Sequence, residues 1–291
     1  MAESPREILR RIRSIKSTQQ ITKAMEMVAA VKLNRVRLQA EQSRPYVDRM
    51  KTIMCALRSS GDDLTDPLFV QREEQRILLV VITSDRGLCG TFNVNVINAA
   101  KNFIEQHADK EVSIVAVGRK GNDALARMGH RVERFFPVPW GASLEADTRT
   151  ISIYLMEAFT AEQVDSVRIL YSHFANVLRY VPTCVQYLPI PPLTQQERRD
   201  LLRLSADFIV EPSFETVANQ LTPRYLETGL YHYIVESLAS EYAARMVSMR
   251  NANDNADEVI RDLTLTYNKA RQASITKELI DIIGGVEAMK G

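Results

Sequence analysis

The residue types that most often perform chemistry are few in this sequence and lack partners at the required spacing. None of the four histidines stands in an H-E-x-x-H segment or beside a C-x-x-C pair, the spacings that would hold zinc. The three cysteines lie far apart, which predicts neither a disulfide framework nor a metal site. No G-x-S-x-G segment occurs and Cys89 has no identifiable base, so nothing supports nucleophilic catalysis. The sequence therefore predicts no metal, no cofactor and no catalytic residue. The histidines are His107, His130, His173 and His232.

A glycine-containing turn, Ser84–Gly90, follows the most apolar segment of the chain, where a nucleotide-binding loop would stand. A dinucleotide fingerprint needs three glycines in the order G-x-G-x-x-G, and Asp85 occupies the place of the first. The segment Gly118–Gly121 is basic and follows a strand, where anions can bind, but we interpret it as a tight turn. A nucleotide-binding enzyme stays open as an alternative, because α/β domains of this size commonly bind nucleotides.

The positions of proline and glycine predict a long helix at the start of the chain. Pro5 suits a first helical turn, and only Pro45 interrupts an otherwise helix-favouring stretch over about residues 5–59. Ser4 and Glu7 have the spacing of a capping box, in which each residue satisfies a backbone N–H of the other.

The C-terminal part predicts a second long helix with a coiled-coil seam. Residues 230–283 contain neither glycine nor proline, which predicts one helix roughly 80 Å long at 1.5 Å per residue. Its apolar residues recur at steps of four and three, as in a coiled coil. Ile8, Ile12 and Ile15 keep the same step in the first helix. The C-terminal seam consists of Ile234, Leu238, Tyr242, Met246, Met249, Asn253, Ala256, Ile260, Leu263, Tyr267 and Ala270.

The charge distribution favours pairing of the two ends. Residues 1–58 contain thirteen Lys and Arg against five Asp and Glu, whereas residues 205–291 contain eight against thirteen. Opposite net charges attract, so we predict an antiparallel intramolecular coiled coil of the N- and C-terminal helices. Solvated helix faces of different sign are the alternative. Nucleic-acid binding by the basic first helix is a further one, although its isoleucines at packing positions disfavour it.

The middle of the chain alternates strands with helices. This alternation predicts a central α/β domain with a mainly parallel, Rossmann-like sheet, so the fold class is α/β with a long coiled coil. We predict strands at 76–83, 112–118, 131–137, 166–172 and 180–188, and helices at 93–107, 120–128 and 148–161. We expect an N-terminal shaft helix at 1–60, a linker at 61–75, the central domain at 76–190, a foot or linker at 191–211 and a C-terminal shaft helix at 212–291.

Two long segments resemble the gamma subunit of bacterial F-type ATP synthases. They are Ser17–Ala30 and Leu265–Leu279, and the turn Ser84–Gly90 and the segment Ala243–Met249 are similar to that family too. The resemblance runs over the whole chain. It implies a central rotor shaft that couples c-ring rotation, driven by proton flow, to ATP synthesis or hydrolysis at the catalytic beta subunits, without catalysing a reaction itself.

The resemblance also implies partners and contact residues. The partners would be the alpha and beta subunits, the epsilon subunit and the c-ring, with no nucleic acid and membrane attachment only through the complex. Because no leader is visible, we expect the cytoplasmic face of a bacterial inner membrane. The contact with beta would involve Lys23, Met25, Arg245, Gln272, Thr276 and Glu278. An apolar shaft tip would comprise Leu279, Ile280, Ile282, Ile283, Val286 and Met289, and a foot over the c-ring and epsilon would comprise Asp207, Phe208 and Glu211.

Overall fold

A capping box starts the first helix, as its sequence predicts. The computed structural model describes residues 4–59, 67–191, 211 and 214–290, apart from several side chains within the helices. Helix α1 spans Pro5–Ser59 with Pro45 inside it. The Ser4 N–H donates to Oε2 of Glu7 at 3.0 Å, and the Glu7 N–H donates to Oγ of Ser4 at 3.4 Å. The hydrogen bonds from Ser4 lower the pKa of the Glu7 carboxyl.

The last helix is longer than the predicted span of 230–283. It runs over Phe214–Lys290 and is α5 in chain order, after the three helices of the central domain. Its start precedes the prediction because Pro223 is accommodated inside the helix. Ala218, Thr222 and Leu226, at steps of four around that proline, are all buried, and their packing holds the helical path that proline alone disfavours.

The chain forms two compact units. The helical unit comprises Met1–Ala30 and Arg245–Gly291, and the sheet unit comprises Val31–Ala244.

Within the helical unit, α1 and α5 run antiparallel, which confirms the predicted pairing. Nε2 of Gln19 donates to Oδ1 of Asp257 at 2.7 Å, and the Thr22 hydroxyl donates to Oδ1 of Asn253. Nε of Arg250 donates to Oε1 of Glu26 at 3.0 Å. Residue numbers rise along α1 as their partners' numbers fall along α5. Polar pairs therefore replace apolar ones at the centre of this seam, and such pairs can fix its register.

The sheet unit contains a five-stranded sheet in the order β3-β2-β1-β4-β5. Strands β1 to β4 are parallel and β5 is antiparallel to β4, so the expectation of a mainly parallel sheet is confirmed. The strands are β1 Arg76–Ile82, β2 Glu111–Val117, β3 Val132–Phe136, β4 Ser166–Asn176 and β5 Arg179–Leu188. The flanking helices are α2 Phe92–Gln106, α3 Arg119–Arg127 and α4 Leu144–Thr160.

The central strand β1 is buried on both faces. Every residue from Ile77 to Ile82 is almost fully inaccessible, as expected of a strand covered on both faces. Leu79 on one face packs with Val96 and Ala100 of α2 and with Leu125 of α3. No helix among the described residues has both the length and the apolarity that crossing a membrane requires.

An ionic network joins the amino ends of the strands. One carboxylate oxygen of Glu74 accepts hydrogen bonds from Ser166 Oγ at 2.6 Å and Arg168 Nη2 at 2.8 Å, and the other accepts from Lys110 Nζ at 2.9 Å. Burial raises the pKa of Glu74, but the three hydrogen bonds outweigh it and lower the pKa to about 2. Glu74 is therefore ionised in the folded protein at neutral pH.

Candidate functional site

Helix α5 fills the place where sheets of this kind bind ligands. In doubly wound sheets that place lies at the carboxyl ends of the strands, where the strand order reverses. Here the reversal falls between β1 and β4, beside the turn that follows β1. Cys89 and Phe92 from this turn form a buried cluster with Ala244 of α5, and Tyr180 packs against it. The crevice in which a nucleotide would bind is therefore filled by side chains of the protein itself, which argues against the nucleotide-binding alternative.

The basic segment at the start of α3 is also occupied from within. The Arg119 N–H donates to Oδ1 of Asp85 at 3.0 Å, and the Gly121 N–H donates to Oγ1 of Thr83 at 2.8 Å. Gly118 has a φ of 101°, and a Cβ atom there would lie 2.3 Å from the carbonyl oxygen of Thr83. The Gly118 and Lys120 N–H groups donate to the backbone carbonyl oxygens of Phe136 and Ser84. The segment is thus a tight turn packed against β1, and the N–H groups that would hold a phosphate already have acceptors within the protein.

The metal-binding residue types do not converge in the part of the chain that the structure describes. No group of three or more His, Cys, Asp and Glu there is placed to hold a metal ion. His173 and His232 both contact Glu236, through Nδ1 at 2.8 Å and Nε2 at 3.4 Å. The His173 contact joins β4 to α5 within the sheet unit, whereas His232 and Glu236 are one turn apart on α5.

The six predicted beta-contact residues lie on both helices of the helical unit at two separate levels. Lys23 is exposed, whereas Met25 is half-buried beside the seam. Residues two positions apart are separated by roughly 200° around a helix axis, so these two side chains point in different directions. Arg245 is only 9% exposed. Because Glu26 bonds Arg250, the antiparallel register leaves this residue roughly 10 Å along the helix pair from the two α1 residues.

The other three beta-contact residues lie further along α5. Gln272 is 27 residues beyond Arg245, which is roughly 40 Å along a helix. Gln272, Thr276 and Glu278 are all exposed. The Thr276 hydroxyl donates to the Gln272 carbonyl oxygen at 2.9 Å, and Glu278 accepts from Ser274 Oγ at 3.2 Å. The structure therefore presents two contact levels rather than one site, and their role with beta stays a prediction.

The end of α5 carries a continuous exposed apolar surface. Ile275, Leu279, Ile282 and Val286 follow each other at steps of four and three on one helix face, and Ile280 and Ile283 lie beside them. Their exposed fractions are 45% to 63%. An apolar surface of this extent usually marks a contact with another macromolecule. The predicted Met289 belongs to the side chains that the structure does not describe.

The predicted foot is almost entirely outside the described part of the chain. Asp207 and Phe208 are outside the described residues, and Glu211 is described and exposed. The assignment of these three residues to a foot stays a prediction.

Sequence reasoning missed a cluster that joins both long helices to the sheet domain. Nζ of Lys32 lies 4.8 Å from the ring centroid of Trp140 and 5.3 Å from that of Tyr242. The two rings meet edge to face with centroids 5.1 Å apart. Lys32 is on α1, Trp140 precedes α4, and Tyr242 is on α5. The only available signal was that Trp140 is the single tryptophan of the chain.

Helix α5 is buried on all sides over its last eight residues in the sheet unit. Each residue from Ser237 to Ala244 is buried, whereas an ordinary surface helix buries one stripe. The Ser240 hydroxyl donates to the Ser172 carbonyl oxygen of β4 at 3.0 Å. Nε of Arg149 contacts Oε1 of Glu227 at 3.0 Å and ties α4 to the same helix. The sheet unit therefore holds this part of α5 like a core element.

Comparison with known proteins gives consistent similarities over nearly the whole chain. Residues 4–289 match the family model described as ATP synthase. The ATP synthase gamma chain of Chloroherpeton thalassium is 40% identical over 302 residues, covering 98% of each protein. That of Heliobacterium modesticaldum is 42% identical over 288 residues, again covering 98% of each.

Similar solved structures also come from ATP synthases. The central stalk and c-ring structure of the Tetrahymena thermophila mitochondrial ATP synthase contains a chain that is 26% identical, with a TM-score of 0.59. The alignment covers 80% of this chain and 99% of that one. A chain of the Euglena gracilis mitochondrial ATP synthase, in a structure of OSCP, F1 and c-ring, has a TM-score of 0.67 at 20% identity. Here the coverage is 98% and 94%, and the likeness supports the fold alone.

Proposed function

Because the chain belongs to the family of ATP synthase gamma chains, we propose that it transmits torque by changing its contacts with neighbouring subunits and makes or breaks no bond itself. As a gamma chain it is the central rotor shaft of the enzyme. It couples c-ring rotation to ATP synthesis or hydrolysis at the catalytic beta subunits. The observation that carries the proposal is the antiparallel pair of helices, in which α5 extends beyond the start of α1.

The unequal helices supply the asymmetry that this mechanism needs. In the observed register the first turn of α1 faces the region of Gln272, so about 18 further residues of α5 have no described α1 residue opposite them. A shaft can shift the conformation of a beta subunit only if it contacts different conformations with different free energies. A symmetric rod would bias three surrounding sites equally, whereas this pair presents a different face to each.

The exposed side chains suggest what surrounds the shaft. Ile21, Met27 and Val28 are exposed on α1, away from the seam, and the tip of α5 is apolar as well. We assign these surfaces to the ring of alpha and beta subunits. Lys23, Met25, Arg245, Gln272, Thr276 and Glu278 are its proposed contacts with beta.

The remaining partners are assigned through the family. The Tetrahymena relative belongs to a central-stalk and c-ring structure, and we propose that the c-ring and the epsilon subunit contact the sheet unit and the segment around Glu211. The chain then reaches the membrane only through the complex. We place it at the cytoplasmic face of a bacterial inner membrane, with no nucleic-acid partner.

Reconstitution tests the proposed function. The chain is co-expressed with its alpha, beta and epsilon partners, combined with the membrane sector in vesicles and supplied with ATP. We expect ATP-driven proton pumping only in preparations that contain the chain, and no ATP hydrolysis by the chain alone. Hydrolysis by the purified chain, or full pumping in its absence, contradicts the proposal.

A further inference from the structure

We infer that Lys32, Trp140 and Tyr242 form a clamp that sets the rotational position of the two long helices against the sheet domain, and that this clamp is a positioning element for torque. The inference rests on the proposed function. It assigns a specific task to residues that lie far from the shaft tip and are not among the proposed contacts with beta.

The clamp joins three separate elements at one point. The ammonium group of Lys32 lies over two aromatic rings, at 4.8 Å from the Trp140 centroid and 5.3 Å from the Tyr242 centroid. Both distances are within the range of a cation–π contact. The rings also contact each other edge to face, so the three side chains form a closed triangle.

The chemistry of the triangle is directional. An ammonium group is attracted to the face of an aromatic ring and not to its edge, so Lys32 fixes α1 in rotation as well as in distance. Its helical neighbours Leu33 and Val36 are buried, which anchors the same stretch of α1. Tyr242 is itself buried on the all-round covered part of α5. Rotation of either helix about its axis would therefore break the triangle.

The position of the clamp gives it a role beyond folding. Lys32 and Tyr242 lie within three residues of Ala30 and Arg245, where each helix continues into the helical unit. Torque that enters the sheet unit has to pass into both helices before it reaches the shaft. A contact that holds both helices at the point where they leave the sheet unit limits their rotation relative to the sheet domain when torque is applied.

Substitution of Lys32 tests this directly. Lys32→Met keeps the length and the apolar stem but removes the charge, while Lys32→Arg keeps a cation that also stacks on aromatic rings. Arg35→Met, at an exposed position one turn away on α1, is the matched control for loss of a cation. Trp140→Leu removes the ring from a loop and decides the question if Lys32→Met does not assemble.

Two readouts separate positioning from general stability. In the full chain, amide hydrogen exchange around residue 242 should become about two- to five-fold faster in Lys32→Met, the factor expected for one such contact. In reconstituted enzyme, protons pumped per ATP should fall while the melting temperature and ATP hydrolysis stay near wild type. Lys32→Arg should restore both readouts, and Arg35→Met should leave both unchanged.

The outcomes distinguish this inference from the proposed function. If wild-type enzyme pumps and Lys32→Met matches it in exchange and in pumping, the clamp has no positioning role while the shaft function stands. An equal loss in Arg35→Met also overturns the inference. If wild-type enzyme itself hydrolyses ATP without pumping, the proposed function fails first.

Discussion

The Asp85 carboxylate accepts a 3.0 Å hydrogen bond from the backbone N–H of Arg119, and so takes the position that a bound anion would have at the start of α3. Its second oxygen accepts the N–H of Val138 at 3.2 Å. One side chain thereby satisfies two backbone donors at the carboxyl edge of the sheet, one in the first residue of α3 and one in the loop after β3. In this protein the Asp85 carboxylate therefore occupies the anion position that related folds use to bind nucleotide phosphates.

Replacing this carboxylate should destabilise the sheet unit. In Asp85→Ala both N–H groups lose their acceptor, and leaving such donors unpaired costs about 1 to 3 kcal/mol of unfolding free energy. Urea unfolding of the full chain measures the loss. Asp109→Ala, at an exposed position after α2, removes the same charge and should change stability very little. Equal losses in the two variants would contradict the capping role.

Gly118 should be far less replaceable than Gly129, although both have positive φ angles of 101° and 85°. A Cβ at Gly118 would meet the carbonyl oxygen of Thr83 at 2.3 Å, whereas at Gly129 it meets nothing within 4 Å. We expect Gly129→Ala to cost about 1 to 2 kcal/mol from backbone strain alone. Gly118→Ala should cost about 1 to 3 kcal/mol more, because it adds a clash. Paired thermal melts check the difference, and a larger loss at Gly129 would refute it.

Acid should weaken the fold through Glu74. The pKa of this carboxyl is about 2 in the folded protein against 4.5 for an unperturbed glutamate, so its stabilisation is fully present above pH 4.5. The stabilisation is lost progressively as the pH falls from about 4.5 towards 2. We expect Glu74→Gln to lower stability at neutral pH by about 1 to 3 kcal/mol and to flatten the acid dependence.

A neighbouring glutamate provides the control for this pH dependence. Glu73 is exposed, and Glu73→Gln makes the same change of charge one residue earlier. Chemical unfolding of the three proteins between pH 3 and pH 7 gives the comparison. If the unfolding free energy of Glu74→Gln falls with acid as steeply as that of wild type, the Glu74 network does not cause the acid sensitivity.

Several features of the fold follow from the sequence because they depend on local spacing. The Ser4–Glu7 capping box predicts the start of α1, and the steps of four and three predict which residues of α5 face a partner. In the helical unit each predicted seam residue from Met246 to Ala270 is buried or half-buried. Alternating strands and helices predict the mainly parallel sheet for the same reason.

Other features depend on contacts between residues distant in sequence, and no local pattern contains them. Pro223 suggests a helix boundary, yet packing around it carries α5 through. The clamp joins residues 32, 140 and 242, whose types alone indicate nothing. Ala244 is part of a good helix-forming segment, and its place in the sheet's crevice emerges only from the tertiary fold.

Polar substitutions at the α5 tip should separate assembly from folding. Leu279, Ile282 and Ile283 are more than half exposed, so replacing all three with serine removes little buried surface from the free chain. We expect unchanged unfolding of the chain but weaker retention in the complex with alpha and beta, because the apolar contact is lost. Subunit stoichiometry after dilution measures this. Serine at the exposed Leu178, in the β4–β5 turn, is the control. Full retention of the triple variant would remove the tip from the interface.

Met25 provides the most direct test of contact-driven coupling. The residue lies half-buried beside the seam, so a lysine there can extend towards solvent and place a mobile cation on the surface proposed to face beta. A change of about 1 kcal/mol in one such contact alters a conformational equilibrium about five-fold. We therefore expect Met25→Lys to assemble and hydrolyse ATP but to pump fewer protons per ATP in vesicles. Met25→Leu, which preserves volume and polarity, should couple normally. If the lysine variant couples as well as the leucine variant, the shaft does not act on beta through this position.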